Sequence, residues 1–375
     1  MLEHRNCKFK EIVFYIDRAS STTSFQLQRL EHAGIISVLR VDNNNQFYRL
    51  KNKSRIVKTV SRYKIKVQRD PYYLFSYKKH SNSSKMNTGK INKTKVAIVT
   101  GSSSGIGFET SLLLARNGFF TYATMRNLDK SSRTLEFKQK ERLPLEVLRL
   151  DVTDLSSVKE AIEKVANEQE TIDVLVNNAG YALVGPLEEL SIQEFKEQFE
   201  TNVFGVIRVT QSVLPIMRKQ RHGTIVNISS IAGRIGFPLT PAYVSSKFAL
   251  EGLSESMAYE LEQFGIKVIL IEPGVIKTNF DNNLKIGKNV STTVNDRNSP
   301  YADITEKRIA GFKPRFKNGL PAIEVAKVVL NVITSRNVPA ELRYLVGNDA
   351  FKLMEIKKNK SDKEFRRLVM EGVLK

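Results

Sequence analysis

From residue 93 onward the sequence predicts an α/β fold, a doubly wound seven-stranded parallel sheet of the Rossmann type. Three observations carry this. Seven short apolar runs read as strands, each separated from the next by a helix-length segment: Val96 to Thr100, Phe119 to Thr124, Leu145 to Leu150, Ile172 to Val176, Thr224 to Ser229, Lys267 to Ile271 and Tyr344 to Val346. That alternation calls for a parallel sheet covered on both faces, with right-handed crossovers. The first run ends in a glycine and serine turn that leads directly into the helical run Phe108 to Asn117. The fifth ends at Ser230, thirteen residues before Tyr243-Val244-Ser245-Ser246-Lys247, and strand ends are where such sheets place chemistry.

The chain before this fold is different. Residues 1 to 85 hold 18 Lys and Arg against 6 Asp and Glu, a balance of +12, and the other 290 residues hold 41 against 33, or +8. The asymmetry points to nucleic acid or an acidic surface as partner, or to a solvated basic face. Phe9 to Ala19 places Ile12, Val13 and Ile16 at helical spacing, and Ser20 to Thr23 offers a cap for a second helix bearing Leu27 and Leu30, closed by Gly34. Ile35 to Val41 and Gln46 to Leu50 flank Asp42-Asn43-Asn44-Asn45 as a hairpin. This order resembles the later part of a winged helix-turn-helix domain, with Ser21 to Ala33 as recognition helix and Arg40 to Arg49 as wing. The resemblance implies duplex DNA as a partner of residues 1–68, through Gln26, Gln28, Arg29 and Arg40. The chain starts where that family's first helix should be nearly finished. Residues 69–92 read as a polar linker that contains Met86, an internal start that would yield the catalytic domain of residues 93–375 alone.

Composition narrows the classes. The 375 residues are 41% hydrophobic and 26% charged, an ordinary balance for a soluble protein. One cysteine, Cys7, allows no internal disulfide, and the four histidines have no ligand-like spacing, so no metal is expected. The longest apolar runs, such as Val268 to Ile271, fall far short of the roughly 20 residues of a membrane helix, and the N-terminus lacks a signal-peptide core. The expected location is cytoplasmic.

The turn after the first strand reads Thr100-Gly101-Ser102-Ser103-Ser104-Gly105-Ile106-Gly107. Glycines here let backbone approach a pyrophosphate, whose charge the helix N-terminus favours. On a helix, Tyr243 and Lys247 share one face, so both can act on one substrate, and the cation would lower the phenol's pKa. Ser230 can hold a substrate carbonyl by hydrogen bond.

Thr-Gly-x-x-x-Gly-Ile-Gly, then Asn177-Asn178-Ala179-Gly180, Ser230, Tyr-x-x-x-Lys and Pro273-Gly274, in order and at matching spacing, resemble the short-chain dehydrogenase/reductase family over residues 93 to 350. The resemblance implies a nicotinamide dinucleotide and a tetrad at Asn202, Ser230, Tyr243 and Lys247. By that likeness Asn202 supports a water in a proton relay, Ser230 orients the carbonyl, Tyr243 exchanges the proton, and Lys247 also binds the nicotinamide ribose. It also implies cofactor contacts from Gly101 to Gly107, from Asn178, Ala179 and Gly180, and from Pro273, Gly274 and Thr278. Asp151 resembles the family's adenine-contacting aspartate, with helix capping as its alternative role. Homodimers or homotetramers are the family's usual assemblies.

The second strand ends in Ala123-Thr124-Met125-Arg126-Asn127. Met125 stands where an NAD protein carries a ribose-binding carboxylate, and an arginine nearby accommodates a 2′-phosphate. NADP is therefore expected rather than NAD, held by Arg126 with Ser102 as helper. Asp281 to Asn318 has few apolar periods and reads as a mobile substrate lid, about 280 to 320, followed by a helix at Ala322 to Arg336 and a charged tail at Phe351 to Leu374. Ala182 to Pro186 and Thr121 to Asn127 most resemble the branch with steroid and retinol dehydrogenases. The reading is an NADP-dependent oxidoreductase interconverting a secondary alcohol and a carbonyl. Its alternative is a DNA-binding regulator that uses the fold as a nicotinamide sensor.

Overall fold

The computed structural model describes residues 94–278, 284–290, 299–334 and 341–374, together with three strands nearer the N-terminus. The chain divides into two compact units, Met1–Lys90 and Ile91–Lys375.

In the first unit, strands Val13–Ile16, Ile36–Asp42 and Asn45–Leu50 form an antiparallel sheet with Asn45–Leu50 in the centre. Ile36–Asp42 and Asn45–Leu50 pair as the expected hairpin, with Asp42 opposite Asn45. Val13–Ile16 corrects the helix expected over Phe9 to Ala19. Val-Phe-Tyr-Ile is a β-branched and aromatic run, and the edge of Asn45–Leu50 gives it a partner. Arg40 falls in strand Ile36–Asp42. The expected recognition helix, with Gln26, Gln28 and Arg29, lies outside the described residues, as do the linker and Met86.

The second unit is built on β1 (Val96–Val99), β2 (Phe120–Met125), β3 (Leu145–Arg149), β4 (Val174–Asn177), β5 (Gly223–Ile228), β6 (Ile266–Pro273) and β7 (Arg343–Val346). They form one sheet in the order β7-β6-β5-β4-β1-β2-β3, every pairing parallel. The expected strands are all present. The helices are α1 (Gly105–Arg116), α2 (Ser132–Glu141), α3 (Leu155–Gln169), α4 (Ile192–Phe199), α5 (Gly205–Gln220), α6 (Pro241–Glu262), α7 (Ala302–Lys317), α8 (Ala322–Thr334), α9 (Asn348–Asn359) and α10 (Asp362–Leu374).

Successive strand residues feed opposite cores. Val96 and Ile98 join Leu175, Ile225 and Val268 beneath Val158, Ile162 and Val165 of α3 and Val209, Val213 and Met217 of α5. Ala97 and Val99 join Val176, Val226 and Ile269 on the other face, against Leu114 of α1 and Val325 and Val329 of α8. Both faces are dry, so each strand residue is apolar whichever way it points.

The stretch expected to be an unpatterned lid is partly regular. Leu284–Ile286 pairs in parallel with Ala182–Val184, and α7 follows it. Tertiary partners supply the order that apolar periodicity did not show: Val290 is fully buried against Leu183 and Leu190, and α7 packs on α10. The charged tail forms α9 and α10, separated at Ser361, whose side chain and backbone N–H both bond Glu364. Among the described residues no helix is long and apolar enough to cross a membrane.

Candidate active site

The sheet order reverses direction between β1 and β4, and the carboxyl ends of those strands flank the crevice where open α/β sheets bind ligands. Thr100, just past β1, clasps the two ends together. Its hydroxyl oxygen accepts from the backbone N–H of Asn178 (2.9 Å) and Ala179 (3.1 Å). The Asn178 amide donates in turn to the Thr100 and Gly101 carbonyls (2.9 and 3.1 Å). Gly101 has φ +67°, and a Cβ there would stand 2.8 Å from Ala179 Cα. At Gly107 a Cβ would overlap the Asn178 amide. The loop and the Asn178 turn therefore pack backbone to backbone, which only glycine permits.

A cavity of about 830 Å³ runs along this edge. Gly101, Ser103, Ser104, Gly105 and Ile106 border it, as do Asn178, Ala179 and Gly180, then Pro273, Gly274 and Thr278. Ser102 does not: it is fully buried, its Oγ donating to Val99 O (2.8 Å) and accepting from Ser111 Oγ (2.9 Å). Its expected role as a phosphate helper is thereby corrected, because the side chain faces the core to secure α1. Gly107 likewise serves packing rather than the cavity wall. Arg126, Asn127 and Lys130 border the cavity where β2 ends. Lys130 escaped the sequence reading, its one signal being that it stands four residues after Arg126.

Asp151 also borders the cavity. One of its oxygens accepts from Thr153 N–H (3.0 Å) and Thr153 Oγ1 (2.8 Å). The helix cap is Asp154 instead, which accepts from Ser156 N–H at 2.9 Å, so Asp151 keeps an oxygen for a ligand. Asp349, missed by the sequence reading, accepts from Val275 N–H (2.7 Å) and fills the space over Gly274.

Ser230 stands just past β5 and Tyr243 is the third residue of α6, and both side chains border the cavity, the Ser230 hydroxyl near enough to the phenol to act on its pKa. Ser230 Oγ accepts from Ala232 N–H (3.1 Å). The neighbouring Ser229 hydroxyl is buried towards Gly233. Lys247, one turn after Tyr243, donates from Nζ to Ile228 O (2.8 Å), and Nζ lies 5.8 Å from the Tyr243 ring centre. Burial pushes the phenol of Tyr243 above its ordinary value, and the Ser230 hydroxyl pulls it down by less. The expected lowering by Lys247 is not found: burial governs the phenol, and the group that pulls it down is Ser230. Burial lowers Lys247 itself to about 8, opposed by the charge of Glu251.

Asn202 sits in a π-helical turn, Glu200–Phe204, between α4 and α5, where such turns often mark functional sites. Unlike the other three tetrad positions, it stands behind the cavity wall, 1% exposed. Its Nδ2 donates to Tyr181 O (3.0 Å) and Ser246 Oγ (3.1 Å), and its Oδ1 accepts from Tyr181 N–H (3.2 Å). It ties the start of α6 to the segment after β4.

Between the ends of β2 and β5 lie three strand spacings, roughly 14 Å. The cavity thus reaches from a pair of cations to a Ser–Tyr–Lys cluster, past a glycine turn at a helix N-terminus. Fold and site together define a dinucleotide-binding protein of the Rossmann class. The chain belongs to the short chain dehydrogenase family, which it matches over residues 95–289, and it is an oxidoreductase. It is 40% identical over 255 residues, 68% of this chain and 89% of the relative, to an uncharacterized oxidoreductase, YusZ, of Bacillus subtilis. It is 39% identical over 260 residues, 66% of this chain and 81% of the relative, to retinol dehydrogenase 8 of Bos taurus. Among solved structures it is similar to an alcohol dehydrogenase from Thermococcus sibiricus complexed with 5-hydroxy-NADP. That likeness has a TM-score of 0.55 and 26% identity, over 67% of this chain and 95% of the other. Further similar structures hold NADP or NADPH, which supports a nicotinamide cofactor for this fold.

Proposed function

We propose that the protein is an NADP-dependent oxidoreductase that interconverts a secondary alcohol and the corresponding carbonyl. The observation that carries this reading is the meeting of Ser230, Tyr243 and Lys247 on one cavity wall, with Lys247 one turn after Tyr243. When bound, the nicotinamide supplies or accepts the hydride. Ser230 holds the carbonyl oxygen where charge develops. Tyr243 gives its hydroxyl proton to that oxygen, and its raised pKa keeps it protonated and ready to donate. In the oxidation direction the phenolate must form, and the Ser230 hydroxyl opposes the burial that resists it. Lys247 uses one N–H on Ile228 O, leaving two for the nicotinamide ribose. Asn202 has both amide N–H groups engaged, so a relay water would be met by the second lone pair of Oδ1.

NADP rather than NAD is supported by Met125 in the place of a carboxylate and by Arg126 and Lys130 at the same end of the cavity. A 2′-phosphate suits two cations, whereas a ribose hydroxyl needs an acceptor. Phe237, Leu284, Phe316 and Leu353 border the cavity and, with the likeness to a retinol dehydrogenase, favour a substrate with a sizeable apolar body. The test is carbonyl-dependent oxidation of NADPH by the purified chain over a panel of aldehydes and ketones. Turnover of none would overturn the reading. Arg126→Ala should lower the preference for NADPH over NADH at least tenfold, and an unchanged preference would overturn the cofactor assignment.

A further inference from the structure

Behind the wall formed by Ser230, Tyr243 and Lys247 the protein buries a cluster of charges. Glu251 follows Lys247 by one turn of α6, and the two residues are 4% and 8% exposed. Four residues apart, their side chains are neighbours on one helix face. The turn Ile231–Gly233, which follows Ser230, closes over the glutamate: a Cβ at Gly233 would stand 2.8 Å from Glu251 Cγ, 2.9 Å from Ser229 Oγ and 3.1 Å from Lys247 O. A side chain there would push Glu251 away. Arg343 of β7 fixes the carboxylate, its Nε donating to Glu251 Oε2 (2.8 Å). The same arginine donates from Nη2 to Glu255, a further turn along α6 (2.6 Å), and lies 3.6 Å from Glu272 of β6. Glu272 is in turn 3.1 Å from Arg234, whose carbonyl accepts from Lys357 of α9.

Arg343 does not by itself account for a carboxylate at this position. Among the described residues Glu251 Oε1 has no hydrogen-bond partner, and neither has Ser229 Oγ beside Gly233. A buried carboxylate oxygen without a donor costs free energy. With an apolar residue at 251, Arg343 would still face Glu255 and Glu272, and such a replacement is often neutral for stability. The charge does have a second neighbour, Lys247. Burial drives that amine towards its neutral form, down to about 8, and Glu251 is the group that works against it. Tyr243, one turn to the other side of Lys247, answers to burial and to the Ser230 hydroxyl. The glutamate therefore acts on the lysine rather than on the phenol.

We propose that Glu251 is a positioning residue of the active site, whose carboxylate, anchored by Arg343, holds Lys247 in its charged form so that the lysine can bind the nicotinamide ribose. This rests on the oxidoreductase reading of the same site and adds to it the group that keeps its lysine charged. The test uses the full chain with lysine labelled by carbon-13 at Cε. The Lys247 signal is assigned by its loss in Lys247→Ala, and its titration is followed by NMR. Glu251→Gln should lower the midpoint by about one pH unit or more. NADPH should then bind the variant about fivefold more weakly than the native protein at about pH 8, and within about twofold of it at about pH 6, where both lysines are charged. Glu251→Asp should recover part of the shift. Glu255→Gln also takes a carboxylate from Arg343, yet it should leave the midpoint in place, which separates a charge effect on Lys247 from the loss of an ion pair. Glu251→Met removes the same charge without a buried amide to satisfy, so it answers the question where Glu251→Gln does not fold. An unmoved midpoint in the folded variant, or an equal shift in Glu255→Gln, would overturn the proposal. So would a shifted midpoint with native NADPH affinity at about pH 8. Neither measurement needs turnover: the shift and the affinity loss together, with no carbonyl reduced, uphold the role of Glu251 and count against the oxidoreductase reading alone.

Discussion

Tyr243 and Lys247 share a helix face, yet burial moves their two pKa values apart from their usual levels, the phenol upward and the amine down to about 8. Tyr243→Phe keeps the packed ring and removes only the proton donor. Carbonyl reduction should fall at least about 100-fold while the NADPH dissociation constant stays within about twofold. Lys247→Ala should damage both, which single-turnover rates and cofactor titration can separate. Near-normal reduction by the phenylalanine variant would mean that another acid serves. Glu272, at the end of β6, is 1% exposed and lies 3.1 Å from Arg234 and 3.6 Å from Arg343. Burial, then the charge of Glu251, raises its pKa to about 7. The folded protein therefore holds this proton more tightly than the unfolded chain, whose glutamate titrates near 4.3. Its contribution to stability is complete below that value and is lost as pH rises to about 7. Thermal unfolding at about pH 5 and about pH 8 should show a larger fall for the native protein than for Glu272→Gln. Equal falls would mean that Glu272 is ionised throughout.

The glycine turn and the Asn178 turn act as one element because Thr100 joins them. Thr100→Val keeps the shape and leaves two partly buried N–H groups without their acceptor, at a cost of about 1 kcal/mol for each. The variant should unfold at lower temperature and bind NADPH more weakly. Gly101→Ala should do the same by a different route, through about 1–2 kcal/mol of left-handed backbone strain and displacement of Ala179. Gly118 provides the control. Its φ is +83°, but nothing lies within 4 Å of a Cβ there, and it is remote from the cavity wall. Gly118→Ala should lower stability and leave the NADPH dissociation constant unchanged, and a matching loss of affinity at both glycines would refute the clasp.

At the scale of the molecule, the unit Ile91–Lys375 contains the whole sheet and every residue of the candidate site. A chain begun at Met86 should fold and keep the full chain's NADPH affinity, as circular dichroism and titration would show. An unfolded product would mean that the first unit completes the second. Phe204, Phe248 and Tyr259 are 49%, 44% and 74% exposed. Phe248 and Tyr259, eleven residues apart, lie on one face of α6, against which the π-helical turn of Phe204 packs. An apolar face of this kind is expected to pair copies of the chain into homodimers or homotetramers. Light scattering should show an assembly that Phe248→Glu with Tyr259→Glu shifts to monomer. A monomeric native chain would overturn this.

What the sequence determined by itself was local. Seven apolar runs meant seven strands because a strand dry on both faces cannot be polar. The Gly101 to Gly107 turn and the spacing of Ser230, Tyr243 and Lys247 were legible because each needs only its own strand or helix to be placed. The Val13–Ile16 run shows the limit of such reading, since helical spacing and β-branched composition disagreed and pairing with Asn45–Leu50 decided. Only the tertiary structure decided that Ser102 faces the core and that Asn202 stands behind the wall. The same holds for Lys130 and Asp349, which come from two separate helical segments and meet one cavity. Their positions depend on contacts between residues far apart in the chain, and no periodicity within a segment encodes where a distant segment will lie.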